Sequence, residues 1–391
     1  MTSEWRSLHV YTSAIDPLVI DVIDPFFAAH GDDLDCGFWE RRLAGGPHVR
    51  VRMRAERTRL DAIALELRTR LEGWLALHPA LARTDYSPAR VRRLLEMEGV
   101  DPASEDLAHR HGVVTEGTYP EMGKTYASPA ARQLAEDFKC ARGPLAAAIL
   151  RAAEPRDELT LRLYCGLALF AGRGRYSAGS VSFKSHWEHF ALTLPEAAID
   201  RFTRSYEQHR PRLFALMDDV QHAWHTAARA VEAPLLDRWW RLLATIDEQA
   251  ATVLRRGQPI SMPPSGVDRR AGPHERSGVR AAHRRSEFVE TLWAYDGVEM
   301  ALYHDRPFQR RRALVNLLYE LVAALAFTPI DRQTFCHHIF RAVEDREGCD
   351  LTAVMRHNIP RVLQRSRDAL PRDAGAGAPA TAKPTDSGSG A

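Results

Sequence analysis

Lysine is almost missing from this chain. Of 53 basic residues only Lys124, Lys139, Lys184 and Lys383 are lysines, and the rest are arginine. An excess of one charge is missing too: 51 acidic residues leave a net charge of +2. That excludes a strongly basic nucleic-acid coat and an acidic disordered chain. Cysteine is sparse and odd in number: Cys36, Cys140, Cys165, Cys336 and Cys349. No pair has C-x-x-C spacing, so neither a disulfide framework nor a cysteine zinc site is expected. No long apolar run exists. The longest, around 314–327, is broken by Asn316, Tyr319 and Glu320 and is too short and polar to span a bilayer. The opening MTSEWRSLHV has no basic region leading into an apolar one, so no signal peptide is read there. The expectation is a soluble cytoplasmic protein with no membrane or nucleic-acid partner.

What is present is ordinary globular composition, 45% hydrophobic and 27% charged over 391 residues. That is enough chain to bury a sizeable core without staples. Trp5 to Tyr11 alternates as a half-buried strand does. Asp16-Pro17 opens a helix that Gly31 stops. Cys36 to Arg42 reads as a second strand and 44–47 as a turn. His48 to Arg54, HVRVRMR, alternates strictly, with Val49, Val51 and Met53 on one face and His48, Arg50, Arg52 and Arg54 on the other. An amphipathic helix follows over Thr58 to Leu77, and 89–98 reads as another. Gly112 to Thr115 suits a short strand. Ser128-Pro129 is a helix start, because serine caps and proline fits the first turn. Helical pattern then runs to about Gln249 with a break at Ala171 to Gly179. Helices are expected again over 287–302, 307–326, 331–346 and 351–370.

The fold class is therefore α+β: an N-terminal antiparallel or mixed sheet with packed helices, then a mainly α-helical remainder. Residues 1–370 are read as one unit, sheet-rich to about 125 and helical from about 128. A basic loop over 256–285 interrupts it. The segment 371–391 is read as a disordered tail, since 373–391 contains no Leu, Ile, Val, Phe, Met, Tyr or Trp.

Four segments could carry chemistry. The arginine face of 48–54 suits an anion or peptide carboxylates, with His48 able to move a proton; its plain alternative is a solvated sheet face. Ser180 to His189 gathers Ser182, Ser185, Lys184, His186 and His189. His186 and His189 share a helical face, but no third metal ligand is identifiable and no G-x-S-x-G elbow supports a hydrolase. Cys336-His337-His338 resembles a ligand cluster, yet adjacent helical residues diverge by about 100° and cannot face one ion; His338 alone could be catalytic. On 308–326 a leucine stripe is buried, and Asn316, Tyr319 and Glu320 lie together beside it, with Arg312 a turn before. Tyr319 is either a boundary tyrosine or an acid pointing into a cleft. Gly172-Arg-Gly174 is a lone G-x-G without a strand–helix unit, so no dinucleotide site is read there.

Several segments in order resemble one family. WRSLHVY, DPLVIDVIDPFF and FWERRLAGGPHVRVR, within residues 5–54, are similar to the start of the lantibiotic-dehydratase C-terminal, or thiopeptide-type bacteriocin biosynthesis, domain. Thr118 to Tyr126 resembles its Y-x-P-E-x-x-R-Y-G-G segment, with Lys124 in place of the arginine and Ala127 in place of a glycine. SFKSHWEHF and the run from RALVNLLYEL to TFCHH look like the pyridine synthases of the family. These join two dehydroalanines in a formal [4+2] cycloaddition and expel water and the leader peptide. The glutamate-eliminating members carry an H-M-H-x-N-R-like segment, which here is Cys336-His-His-Ile-Phe-Arg341.

The resemblance implies a cofactor-independent, metal-free cyclase acting on a leader-bearing, dehydrated and azole-containing peptide, with other enzymes of the pathway as further partners. Implied catalytic residues are Tyr319, Ser182, His186 and His48. Implied substrate or leader contacts are Arg50, Arg52, Lys184, Asn316 and Arg42. A leader of acidic character would suit the arginines of 48–54 and 255–285. The rival eliminase reading uses His48, Arg50, Arg52, His338 and Lys124. A non-catalytic leader-binding module is the alternative of another class. A homodimer is the base-rate expectation for assembly.

Overall fold

The computed structural model describes residues 3–43, 46–79, 89, 92, 111–119, 126–226, 228–261 and 286–369. Most of the expected helix at 89–98, most of the basic loop, the tail and Lys124 lie outside them.

Four strands form one antiparallel sheet in the order β2-β3-β1-β4: β1 (Ser3–Tyr11), β2 (Cys36–Arg42), β3 (His48–Glu56) and β4 (Val113–Gly117). Between β1 and β2 lie α1 (Ile15–Leu18), a π-helical turn (Val19–Ile23) and α2 (Asp24–Ala29); α3 (Arg57–Leu77) follows β3. The alternation of β3 puts Val49, Val51 and Met53 on the face that packs against Leu60, Ile63, Leu67 and Leu71 of α3. Strand register places Arg52 opposite Ser7 and Phe38, and Arg50 opposite His9 and Glu40, on the other face.

That second face is not a solvated one. His48 and Arg52 are buried, because α4 (Pro129–Arg151) lies over it. Ser128 caps α4, its Oγ accepting from the Ala131 amide at 3.0 Å, as the sequence predicts. Lys139 of α4 donates to Glu40 at 2.7 Å, and Arg142 to the Trp39 carbonyl at 2.9 Å. Cys140 of α4 is disulfide-bonded to Cys36 of β2, with Cα atoms 5.8 Å apart. The expectation of no disulfide is thus corrected. The two cysteines lie 104 residues apart, so only the docking of α4 on the sheet reveals the pairing.

The remaining described helices are α5 (Arg156–Ala171), α6 (Tyr176–Ala191), α7 (Glu196–His225), α8 (Arg229–Glu232), α9 (Pro234–Arg255), α10 (Glu287–Trp293), α11 (Val298–His304), α12 (Arg306–Ala324), α13 (Pro329–Glu347) and α14 (Leu351–Ala369). The helix expected over 287–302 is two helices, because Gly297 adopts φ 73° and turns the chain. α13 starts on a capping box between Thr328 and Asp331 and ends at left-handed Gly348. The fold is α+β.

The Gly172–Gly174 turn hands α5 to α6, and α6 is pressed onto α5 at Gly179. A Cβ there would overlap backbone atoms of Ala168, which cannot rotate away. Gly179→Ala is expected to cost about 1–3 kcal/mol through that overlap. Urea unfolding checks this; a midpoint equal to wild type would show that the α5–α6 approach is looser.

Candidate functional site

α6 carries two faces. Phe183 and Trp187 point into the core, while Ser182, Ser185, His186 and His189 share the opposite stripe at helical spacing. That stripe forms one wall of a cavity of about 360 Å³. The other walls are mostly apolar: Leu292 and Trp293 of α10, Tyr303 of α11, Phe308 and Val315 of α12, and Met355 and Ile359 of α14. Gln309 of α12 donates to the carbonyls of Leu302 and Tyr303 at 3.0 and 3.1 Å, which fixes the α11 wall.

Tyr319 stands behind His186, not in the cavity. Its hydroxyl lies 2.6 Å from His186 Nδ1 and 3.2 Å from Cys336 Sγ. Burial drives the Tyr319 pKa well above 10, with Cys336 and Tyr164 adding to it. Burial likewise pushes the Cys336 thiol up to about 12. Burial, reinforced by Arg332, His189 and Arg312, pulls His186 down to about 4. At neutral pH all three are uncharged, and the protons can then be placed. A phenol is a better donor to an imidazole nitrogen than to sulfur, so Tyr319 donates to Nδ1 and accepts from the Cys336 thiol. Neutral His186 must then carry its proton on Nε2. Tyr319, read from the sequence as either a boundary tyrosine or an acid in a cleft, lies behind His186, and of the pair it is His186 that lines the cavity.

The other sequence-predicted residues separate. Ser182 sits one turn before His186 on the same wall. Lys184 points elsewhere: it is buried against Glu344 at 2.5 Å and lies 3.7 Å from Asp350. Asn316 is exposed on α12 and does not share the environment of Tyr319, because the helix turns it outward. His338 lies among Tyr206 and His209, with Nε2 unbonded among the described residues. Its neighbours diverge as helical geometry demands: Cys336 meets Tyr319 and His337 packs on Trp187.

The arginine strand is committed internally. Arg52 Nε donates to Glu40 at 3.2 Å, and its Nη1 reaches Ser7 and the Thr118 carbonyl. Arg52 is buried among these partners. His48 Nδ1 donates to the Gly46 carbonyl at 2.9 Å, and Nε2 accepts from Arg50 Nε at 3.1 Å. Burial, outweighing the Gly46 hydrogen bond and aided by Arg50, takes the His48 pKa down to about 3. None of its recorded partners lies at the cavity. Arg42 is partly exposed and reaches Glu40 at 3.3 Å. A wider groove of about 600 Å³ runs beside β1, lined by Trp5, Arg6, Tyr119 and Arg132, and holds none of the sequence-predicted residues. Among the described residues no group of three or more His, Cys, Asp or Glu could hold a metal. Among them also, no helix is long and apolar enough to cross a membrane.

Sequence reasoning missed Cys336 as the partner of Tyr319, and the aromatic wall from α10 and α11. The i, i+3, i+4, i+7 stripe of Ser182, Ser185, His186 and His189 was the signal that could have located the cavity.

A small antiparallel sheet, a helical layer with a mostly apolar cavity, and an uncharged histidine at its wall backed by a tyrosine make up the site of an α+β protein. The chain belongs to the lantibiotic biosynthesis dehydratase C-terminal family, whose model matches residues 5–269. Two solved structures share its fold. The crystal structure of TsrL is 20% identical, with 91% of this chain and 98% of that one covered, at a TM-score of 0.63. The pyridine synthase TbtD from thiomuracin biosynthesis is 20% identical, with 88% and 99% covered, at 0.66. No curated protein sequence matches the chain.

Five histidines, His9, His48, His186, His337 and His338, have pKa values lowered by burial to about 3 or 4. Unfolding restores about 6.5, so the unfolded chain binds more protons between those values. Stability is full above pH 6.5 and falls as pH drops toward 4, by up to about 1.4 kcal/mol per pH unit for each histidine. Urea midpoints from pH 8 to 4.5 test this; a flat profile would contradict the buried neutral state.

Proposed function

We propose that this protein is a thiopeptide-type maturation enzyme. It would join two dehydroalanines of a leader-bearing, azole-containing peptide in a formal [4+2] cycloaddition and release the leader. The observation that carries this reading is neutral His186, held through Nδ1 by Tyr319, at the wall of an apolar cavity. The likeness of fold to a pyridine synthase supports it. Residues 1–370 act in this reading as one catalytic unit.

The chemistry suits the wall. A tethered cycloaddition needs its two alkenes held together, which can supply about 7–11 kcal/mol of the barrier. One amide must also shift toward its imidic-acid form. The Nε2 proton of His186 can polarise that carbonyl, and the Ser182 hydroxyl can share the developing charge. No strong acid or base is needed, and none of the three groups in the Cys336–Tyr319–His186 chain is charged near neutrality. Turnover should therefore be flat from about pH 5.5 to 9, and a bell centred near pH 7 would point to a different titrating group.

Glutamate elimination is the less supported reading. It would draw on His338 together with the arginine strand, and the structure keeps them apart: His338 packs on α7 while Arg52 is bound to Glu40. Phe340 also stands where that motif has asparagine. The test is mass spectrometry of the purified protein with a leader-bearing peptide in two forms, one dehydrated with azoles and one glutamylated. Free leader plus a cyclised core from the first form supports the cyclase. Loss of glutamate from the second replaces it with an eliminase, and unchanged binding of both would leave a docking module.

A further inference from the structure

Among the described residues, one cation in the cavity wall has no carboxylate within ion-pair distance. Arg311 of α12 is half-buried and lines the chamber that His186 faces. Among the described residues no hydrogen bond or ion pair to its guanidinium is found. The carboxylate whose charge acts on it is Asp305, which is already engaged elsewhere. Asp305 is engaged by Arg365, at 2.6 and 3.2 Å, and by the Phe308 amide that it caps at 3.0 Å. Arg365 and Arg173 add further positive charge nearby. The charges acting on Arg311 are thus one acid and two further arginines; Glu299 and Arg312 also line the cavity, between mostly apolar walls. Such a guanidinium offers a planar fork of donors that matches a carboxylate, in a setting where a neutral group would leave the charge uncompensated.

We propose that Arg311 is a carboxylate subsite of this cavity, and that it takes the C-terminal carboxylate of the peptide bound there. Arg311 precedes Tyr319 by eight residues, so it lies about 12 Å along α12 from the level of the Tyr319–His186 pair. An extended peptide covers that distance in about three to four residues. The subsite therefore selects a peptide whose reacting dehydroalanine lies about that far from a free C-terminus. The choice of peptide rests on the cyclase reading above, but the carboxylate site itself does not.

The test is a binding measurement that needs no turnover. 2-Phenylthiazole-4-carboxylic acid and its carboxamide are titrated calorimetrically into the full chain, into Arg311→Gln and into Arg311→Lys. Circular dichroism first establishes that both variants are folded. The acid should bind the wild type roughly tenfold or more tightly than the amide, the gap should vanish in Arg311→Gln, and Arg311→Lys should keep part of it. Equal binding of acid and amide by the wild type, or a gap that survives in Arg311→Gln, overturns the proposal. A second titration with glutamate separates the source of the carboxylate. If glutamate binds more tightly than the thiazole acid and depends on Arg311, the C-terminal assignment falls. An Arg311-dependent gap without any cyclised product would overturn the cyclase and leave the subsite standing. Cyclisation with no gap would do the reverse.

Discussion

Replacing His186 with phenylalanine lowers turnover of a dehydrated, azole-bearing peptide by about 10²–10⁴-fold, the usual contribution of a positioned proton donor or acceptor. Peptide affinity stays near the wild-type value, because the aromatic wall of α10, α11 and α12 is untouched. Tyr319→Phe gives a smaller loss. In the proposed reading its hydroxyl acts through His186, and without its hydrogen bond to Nδ1 the imidazole can rotate or place its proton on the wrong nitrogen. The double variant should then be no slower than His186→Phe alone, since both substitutions remove one device. Single-turnover kinetics on the four proteins decides it. Additive losses would mean that Tyr319 touches the substrate independently, and full activity of His186→Phe would move the chemistry out of this cavity.

Strand β2 was legible to the residue, β1 and β3 to within two, and the start of α4 followed from capping Ser128 and first-turn Pro129. Such signals are local, and local signals survive without tertiary information. The covering of the arginine face was not legible. HVRVRMR alternates as a half-exposed strand does, and only the docking of α4 shows that Lys139 and Glu136 meet it from 80 to 100 residues away. The Cys36–Cys140 bond was hidden for the same reason. At the site, Tyr319 and His186 could each be named as candidates, but not that they touch, since they lie 133 residues apart. Lys184 stood out by rarity in a lysine-poor chain, and in the fold it pairs with Glu344, 160 residues away in sequence.

Substitution of Glu40 by glutamine destabilises the fold by about 3–5 kcal/mol, the usual result of leaving buried charges without their partner. Glu40 is buried in β2 and receives Lys139 Nζ at 2.7 Å and Arg52 Nε at 3.2 Å. Burial alone would raise its pKa; Lys139, Arg42 and Arg52 outweigh that and hold it well below the usual carboxylate range. A depressed carboxylate contributes stability above its unfolded pKa, about 4.3, and loses it as pH falls through the folded value. Wild type should therefore weaken in two stages, first below pH 6.5 as the unfolded chain protonates histidines that the fold keeps neutral, then below about pH 4.3 as the unfolded chain protonates Glu40, which the fold keeps ionised. Glu40→Gln abolishes the second stage and keeps the first. Lys139 also lies 3.7 Å from Glu320, the residue after Tyr319, so the same network ties the sheet to the helix that holds His186 in place. Adding Lys139→Met to Glu40→Gln removes one of the two stranded cations and should recover part of the loss. Denaturant midpoints of the two single variants and the double variant, read from pH 7 to 3.5, measure the coupling. If the double variant is as unstable as the sum of the singles, the two side chains are not a pair and the account of the covered arginine face fails.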